Sequence, residues 1–162
     1  MGDNGQTYKT YNDELLKGTK RLALVADVMT PNLTELCLLA DVDYKVLVSY
    51  KTEADYIKRI QAVCETLIRK ASHPQSIVVT GIIRKKKNKT YMGNLVVSER
   101  ENAYIERPYV GKSFSGTGDL FSAVVCGSVV SGMALTDSVK RAVDFLQTGI
   151  EDAARENVDS CH

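Results

Sequence analysis

Ser76-Ile77-Val78-Val79-Thr80-Gly81 is the stretch whose reading decides the fold class. Ile77, Val78 and Val79 follow one another with no polar residue between them, whereas a strand with one wet face alternates apolar and polar side chains. A β-branched run of this kind belongs to a strand covered on both faces, the usual condition of a parallel sheet, and Gly81 stops it. Upstream, His73-Pro74 breaks a helix that Thr52 caps, whose apolar positions Ile57, Ile60, Cys64, Leu67 and Ile68 recur at helical spacing. Asn32 to Ala40 reads as a short helix, and Asp27-Val28-Met29-Thr30 as a second buried strand running into Pro31. A first helix covers Asp13 to Ala26, with Asn12 as cap and Leu15, Leu16, Leu22, Ala23 and Ala26 on one side. Downstream, Thr90 to Ser98 and Ala103 to Arg107 read as adjacent strands around a polar tip. Helices over Thr117 to Ser131 and Thr136 to Asn157 close the chain.

Helices alternating with uniformly apolar strands define an α/β fold, a mostly parallel sheet covered on both faces with an antiparallel edge. In such sheets ligands bind beyond the carboxyl ends of the strands, which singles out the turns after Thr30, after Thr80 and around Gly116. The 162 residues suffice for one core, and a single domain over 1–162 is expected. With 21 Lys and Arg against 20 Asp and Glu, a net charge of +1 gives no pull toward nucleic acid or an anionic membrane. No apolar run is long enough to span a bilayer, and the polar start Met1-Gly2-Asp3-Asn4-Gly5-Gln6 has no signal-peptide character. Cys37, Cys64, Cys126 and Cys161 form no C-x-x-C pair, and neither His73 nor His162 has a cysteine at zinc-ligand spacing. Packed, reduced thiols and a cytoplasmic setting are expected.

Gly116-Thr117-Gly118-Asp119-Leu120-Phe121 carries the most chemistry. Its glycines let the backbone bend sharply and approach a ligand with no Cβ in the way. The helix that follows aims its unpaired N–H groups and the positive end of its dipole at the same point, which suits phosphate oxygens. A carboxylate beside a phosphate site repels the ligand, so Asp119 makes sense either as a first-turn helix residue or as the acceptor of a proton from an attacking hydroxyl. Phosphoryl transfer, being largely dissociative, asks little base strength of such a group. Gly111-Lys112-Ser113 has the form of the end of a Walker A loop, but the motif's first glycine would fall at Glu106 and Pro108 lies inside it, so the match fails.

Thr30-Pro31-Asn32-Leu33-Thr34-Glu35 has two readings. Asn32 with Glu35 three residues on has the form of a capping box, worth about 1 kcal/mol. The same strand-end position points both side chains into a ligand crevice, where an amide and a carboxylate suit hydrated magnesium. Thr80-Gly81 ends its strand as an ordinary stop or as a contact for phosphate or ribose. The following Arg84-Lys85-Lys86-Lys87-Asn88-Lys89 reads as a solvated hairpin tip.

Taken in order, Met1-Gly2-Asp3, Thr30-Pro31-Asn32-x-x-Glu35, Val79-Thr80-Gly81 and Gly116-Thr117-Gly118-Asp119 resemble the motif series of ribokinase-like kinases, and within them the pyridoxal kinases. The resemblance runs over essentially the whole chain. It implies a three-layer ribokinase-like fold and ATP-dependent phosphorylation of the hydroxymethyl group of pyridoxal, pyridoxine or pyridoxamine in vitamin B6 salvage. It also implies Gly116, Thr117 and Gly118 as the phosphate-binding anion hole, with Asp119 as the catalytic base that contacts substrate. Thr80 and Gly81 are implied as ATP contacts, and Asn32, Glu35 and Asp3 as the magnesium site. ATP and Mg²⁺ are the implied cofactors, a B6 vitamer the substrate, and a homodimer the assembly.

Hydroxymethylpyrimidine kinases of the same fold usually have cysteine after Gly-Thr-Gly, where this chain has Asp119, and sugar kinases usually have alanine at the Thr117 position. Family members carry well over a third of their length before this chain's first residue, including strands that grip the vitamin. The chain is therefore expected to be the C-terminal portion of such a kinase, to lack pyridoxal kinase activity alone, and either to be poorly soluble or to self-associate through an exposed sheet edge. A non-catalytic fragment that binds nucleotide, or assembles with another chain, is the other class of function left open.

Overall fold

The computed structural model describes residues 1–49, 52–109, 111 and 114–155. Lys112 and Ser113 of the rejected Walker-like stretch, Asn157 at the expected end of the last helix, and Cys161 and His162 lie outside the described residues. In chain order the elements are β1 (Gly2–Asp3), β2 (Gln6–Thr7), α1 (Asp13–Ala23), β3 (Val28–Met29), α2 (Leu33–Ala40), α3 (Tyr44–Val48), α4 (Glu53–Ile68), β4 (Ser76–Lys86), β5 (Lys89–Val97), β6 (Asn102–Pro108), α5 (Thr117–Val130) and α6 (Leu135–Arg155). The chain divides into two compact units, Met1–Ile82 with Asn94–Tyr104 and Ile83–Gly93 with Ile105–His162.

The principal sheet has the order β3-β4-β5-β6, and β1 pairs with β2 in a separate two-stranded ribbon. β3 and β4 are parallel, with Val28 opposite Ser76 and Met29 opposite Ile77. β4 and β5 are joined only by Lys87-Asn88, with Lys87 at φ 52°, and so tight a connection makes an antiparallel hairpin. Between β5 and β6, the Tyr109 N–H reaches the Thr90 carbonyl and the Ser98 N–H reaches that of Glu101, a register that also runs antiparallel. The α/β class is as expected. Among the described strands the parallel element is the β3–β4 pair, and the antiparallel part is larger than an edge.

In the first unit Ile77, Val78 and Val79 are all fully buried, so β4 is covered on both faces as its composition requires. Ile77, Val79, Ile82, Leu95 and Val97 share one core with Leu36 of α2, Leu47 of α3, and Ile60, Val63, Cys64, Leu67 and Ile68 of α4. The α4 residues recur at helical spacing, and Thr52 caps their helix through a bond from the Asp55 N–H. Asn12 caps α1 in the same way, accepting from the Leu15 N–H, while Lys20 and Arg21 sit favourably at its carboxyl end. The apolar side expected of α1 is not a core face, because none of its residues is buried. Only Ala23 and Ala26, small enough to approach, pack against the core from that segment.

β4 also continues beyond its expected stop: Gly81 adopts φ 69° and the strand runs on to Lys86. The extension holds because its charged residues find a partner, Glu106 of β6, which pairs with both Arg84 and Lys86. In the second unit α5 and α6 form a helical hairpin around Phe121, Val125, Val139, Ala142 and Val143. Gly132, at φ 88°, closes α5, where the Met133 N–H bonds to the Ser128 carbonyl. Arg107 ties β6 to α6 by donating from Nε and Nη2 to one Asp144 oxygen at 3.0 and 2.8 Å. No helix among the described residues is long and apolar enough to cross a membrane.

Burial pushes the Cys64 thiol up to about 12, and burial with the nearby Asp43 carboxylate pushes Cys37 up to about 11. Cys126 is exposed on α5. Alkylation at pH 8 followed by peptide mass spectrometry is therefore expected to label Cys126 in the folded chain and leave Cys37 and Cys64 unmodified. Both raised values favour the folded state below the ordinary thiol value of 9.0, so that contribution is lost as pH rises from about 9 through 11. A urea midpoint that rises over that interval would contradict the burial of these thiols.

Candidate functional site

The first candidate site is built where β3 ends. Parallel pairing persists past Met29, as Asn32 bridges Thr80, the Thr80 N–H donates to the Pro31 carbonyl at 2.9 Å, and the Thr80 hydroxyl lies 3.5 Å from the same oxygen. Thr80, with Gly81 next in the chain, is thereby set beside Asn32 where the parallel pairing ends at the exit of β3, while β4 itself runs on to Lys86.

Asn32 and Glu35 form the complete capping box. Asn32 Oδ1 accepts from the Glu35 N–H at 2.9 Å, and Glu35 Oε2 accepts from the Asn32 N–H at 3.0 Å. Asn32 Nδ2 donates to the Gly2 carbonyl at 3.0 Å, and the Met1 ammonium lies 3.3 Å from Glu35 Oε1. β1 is thus fastened to the amino end of α2. Its hairpin turns through Asn4 and Gly5, at φ 50° and 78°, the left-handed pair that a two-residue turn of this kind requires. A side chain at Gly5 would also collide with the Tyr44 ring, 2.5 Å from the Cβ position. The Gly5 N–H donates to the hydroxyl of buried Thr34 at 2.8 Å, and the exposed Asp3 carboxylate accepts from the Asn4 backbone and side chain.

The structure therefore brings together Asn32, Glu35, Thr80 and the backbone of β1. The Asp3 carboxylate is engaged within its own turn, and among the described residues no three His, Cys, Asp or Glu converge on a metal position. The donor chemistry still fits magnesium, which takes hard oxygens, commonly one or two carboxylates with several waters. Glu35 and Asp3 each keep spare lone pairs for water-mediated contact. Asn32 would have to release its cap to bind directly. Thr34 was missed by sequence reading, having no pattern to mark it, whereas the Asn4-Gly5 dipeptide was a readable hairpin signal.

The second candidate site is the start of α5, in the second unit. Gly116 sits at the N-cap with φ 84° and ψ −4°, and no side chain caps the helix. A Cβ at Gly116 or Gly118 would meet nothing within 4 Å, so it is the left-handed backbone at Gly116 that asks for glycine. The Thr117 hydroxyl is spent on the Phe114 carbonyl at 3.0 Å, leaving backbone N–H groups as the donors of this turn. Asp119 lies exposed in the first turn.

The mixed α/β fold, with a central sheet and helices, matches that of ribokinase-like kinase structures. The chain belongs to the phosphomethylpyrimidine kinase family, whose sequence model matches residues 5–160. At 30% identity and a TM-score of 0.81, 99% of the chain matches 52% of a Bacteroides thetaiotaomicron protein described as a phosphomethylpyrimidine kinase. Another crystal form of that protein contains pyridoxal. A pyridoxal kinase from Entamoeba histolytica is 29% identical with a TM-score of 0.70, over 91% of this chain and 48% of its own. The pyridoxal kinase of Leishmania donovani, solved with ADP and pyridoxamine, shares the fold at 22% identity and a TM-score of 0.70, over 96% of this chain and 48% of its own. The chain spans about half the length of these solved structures. No curated protein sequence matches it.

Replacing Asn32 by Ala removes the cap and the bond to Gly2 together, and is expected to cost about 1–2 kcal/mol in urea unfolding. Glu35→Gln keeps an oxygen for the Asn32 N–H and loses only a partly exposed ion pair, so less than about 1 kcal/mol is expected. A larger loss for Glu35→Gln than for Asn32→Ala would reverse this assignment of structural weight.

Proposed function

We propose that this chain carries the phosphate-binding and proton-accepting part of an ATP-dependent kinase acting on the hydroxymethyl group of a B6 vitamer. The observation that carries the reading is the uncapped start of α5, where a left-handed glycine leaves backbone N–H groups open and a carboxylate stands in the first turn. Those N–H groups, at Gly116, Thr117 and Gly118, stabilise the charge on the transferred phosphoryl group. The substrate hydroxyl oxygen forms its bond to the γ-phosphorus as the bond to the β-phosphate bridging oxygen breaks. Its proton passes to the Asp119 carboxylate, and ADP leaves. Thr80 and Gly81, beside the end of the parallel pairing, contact the phosphates of ATP. Glu35 and Asp3, with Asn32 positioning the turn, would hold magnesium. Magnesium, when bound, neutralises phosphate charge.

Support for the vitamer as substrate comes from the pyridoxal in the Bacteroides protein and the pyridoxamine with ADP in the Leishmania enzyme. The family's own description favours a second reading, phosphorylation of a hydroxymethylpyrimidine. Asp119 in place of the cysteine usual there is the residue that favours the vitamer.

Calorimetric titration of this chain with ATP is expected to show binding that strengthens when magnesium is present. Asp119→Asn should leave that binding intact, because it removes a like charge from the phosphate site. The same change should lower kcat for pyridoxal phosphorylation by about 10²–10⁴-fold in a preparation with measurable turnover. Absence of nucleotide binding, or near-normal turnover in Asp119→Asn, would sink the proposal. Faster phosphorylation of a hydroxymethylpyrimidine than of pyridoxal would favour the second reading.

A further inference from the structure

Asp3 belongs to a ribbon too small to hold its own shape. β1 and β2 have two residues each, Asp3 to Thr7 are exposed, and an isolated strand pair is marginal in water. Its conformation depends on anchors elsewhere in the first unit, and one side chain grips it on both sides of Asp3. Thr34, in the first turn of α2, accepts a hydrogen bond from the Gly5 N–H at 2.8 Å. The Thr34 methyl lies 3.1 Å from the place that a Cβ on Gly2 would take. Between those two grips, the Asn4 N–H and Nδ2 donate to the two Asp3 oxygens at 2.9 and 3.1 Å. Gly5 thus fixes Asn4, and Asn4 fixes the direction of the Asp3 carboxylate.

Thr34 is only 4% exposed, and valine would fill the same space without a buried hydroxyl to satisfy. The hydroxyl is used, across 29 positions of chain, on an amide that would otherwise turn to water. Its neighbour is Glu35, whose carboxylate is aimed by the Asn32 N–H. One helical turn therefore supplies one of the carboxylates assigned above to the cation and the anchor of the other. We propose that Thr34 is a positioning residue for magnesium: its hydroxyl holds the Asn4-Gly5 turn and so keeps Asp3 in a fixed relation to Glu35. A carboxylate on a loose turn has to be ordered as the cation binds, and that ordering weakens affinity. The inference rests on the kinase reading of Asp3 and Glu35, and adds a residue that itself touches neither metal nor phosphate.

Amide exchange on the 162-residue chain without ligand tests the anchor first. The Gly5 amide is expected to exchange at least about tenfold more slowly than in an unstructured peptide, and Thr34→Val to abolish that protection. Calorimetric titration with ATP then gives the magnesium chloride concentration that half-maximally strengthens binding. Thr34→Val is expected to raise it about five- to tenfold, the equivalent of one net hydrogen bond, with ATP affinity in the absence of magnesium unchanged. Thr34→Ser, which keeps the hydroxyl, should bring it back to within about twofold of the unaltered chain. A purely structural hydroxyl would instead lower the urea midpoint and leave the magnesium requirement where it was, and that outcome overturns the proposal. So does an unprotected Gly5 amide in the unaltered chain, a result that needs no variant to fold. If magnesium has no effect on ATP binding by the unaltered chain, the kinase reading of Asp3 and Glu35 fails and takes this role with it. If magnesium acts alike on the unaltered chain and on Thr34→Val, the role of Thr34 alone fails.

Discussion

The short contact between β3 and β4 governs much of the first unit. Only Val28 and Met29 pair formally with β4, and the Thr80 N–H to Pro31 carbonyl bond extends that pairing by one step. Proline has no N–H to give, yet its carbonyl remains a full acceptor, so the chain can leave the sheet there without stranding a backbone group. That exit sets the direction in which α2 begins, and the amino end of α2 in turn holds β1 through Asn32 Nδ2. Thr80, Asn32, Glu35 and the β1 ribbon keep their relation because one strand end is held in register.

Asn32 and Glu35 form a capping box at the place where the proposed function would also use them. A capping box needs an oxygen aimed at the first free N–H groups of a helix, and a phosphate-side cation site needs oxygens at the same strand end. In this chain the structural demand visibly occupies the side chains: each of the two accepts from the other's backbone. Their carboxylate and amide are thereby held in a single orientation before any ligand arrives, which is how positioning is obtained cheaply.

What was legible in the sequence was whatever depends on local chemistry. Ile77 to Val79 announced a strand buried on both faces, Asn12, Asn32 and Thr52 announced helix starts, and Gly116 announced a left-handed turn ahead of a helix. What escaped depends on partners distant in the chain. Gly81 reads as a stop, but β4 passes through it because Arg84 and Lys86 meet Glu106. α3 is too short for a periodic pattern and rests on one cap, the Lys45 N–H to Asp43 bond. The apolar side of α1 predicts burial by its pattern, and nothing in its sequence says that only Ala23 and Ala26 will reach the core. The candidate site divides along the same line: its caps and turns were readable, and the use of Thr34 as an anchor for Gly5 was not.

The two helices of the α5–α6 hairpin are neighbours in the chain and meet through Gly132. Val28 finds Ser76 only after α2, α3 and α4 have been traversed. Closing a loop of that length has an entropic cost before any contact rewards it, whereas a helical hairpin collects its contacts as it forms. The helical pair therefore has the shorter search, and the parallel strand pair is expected to form after it.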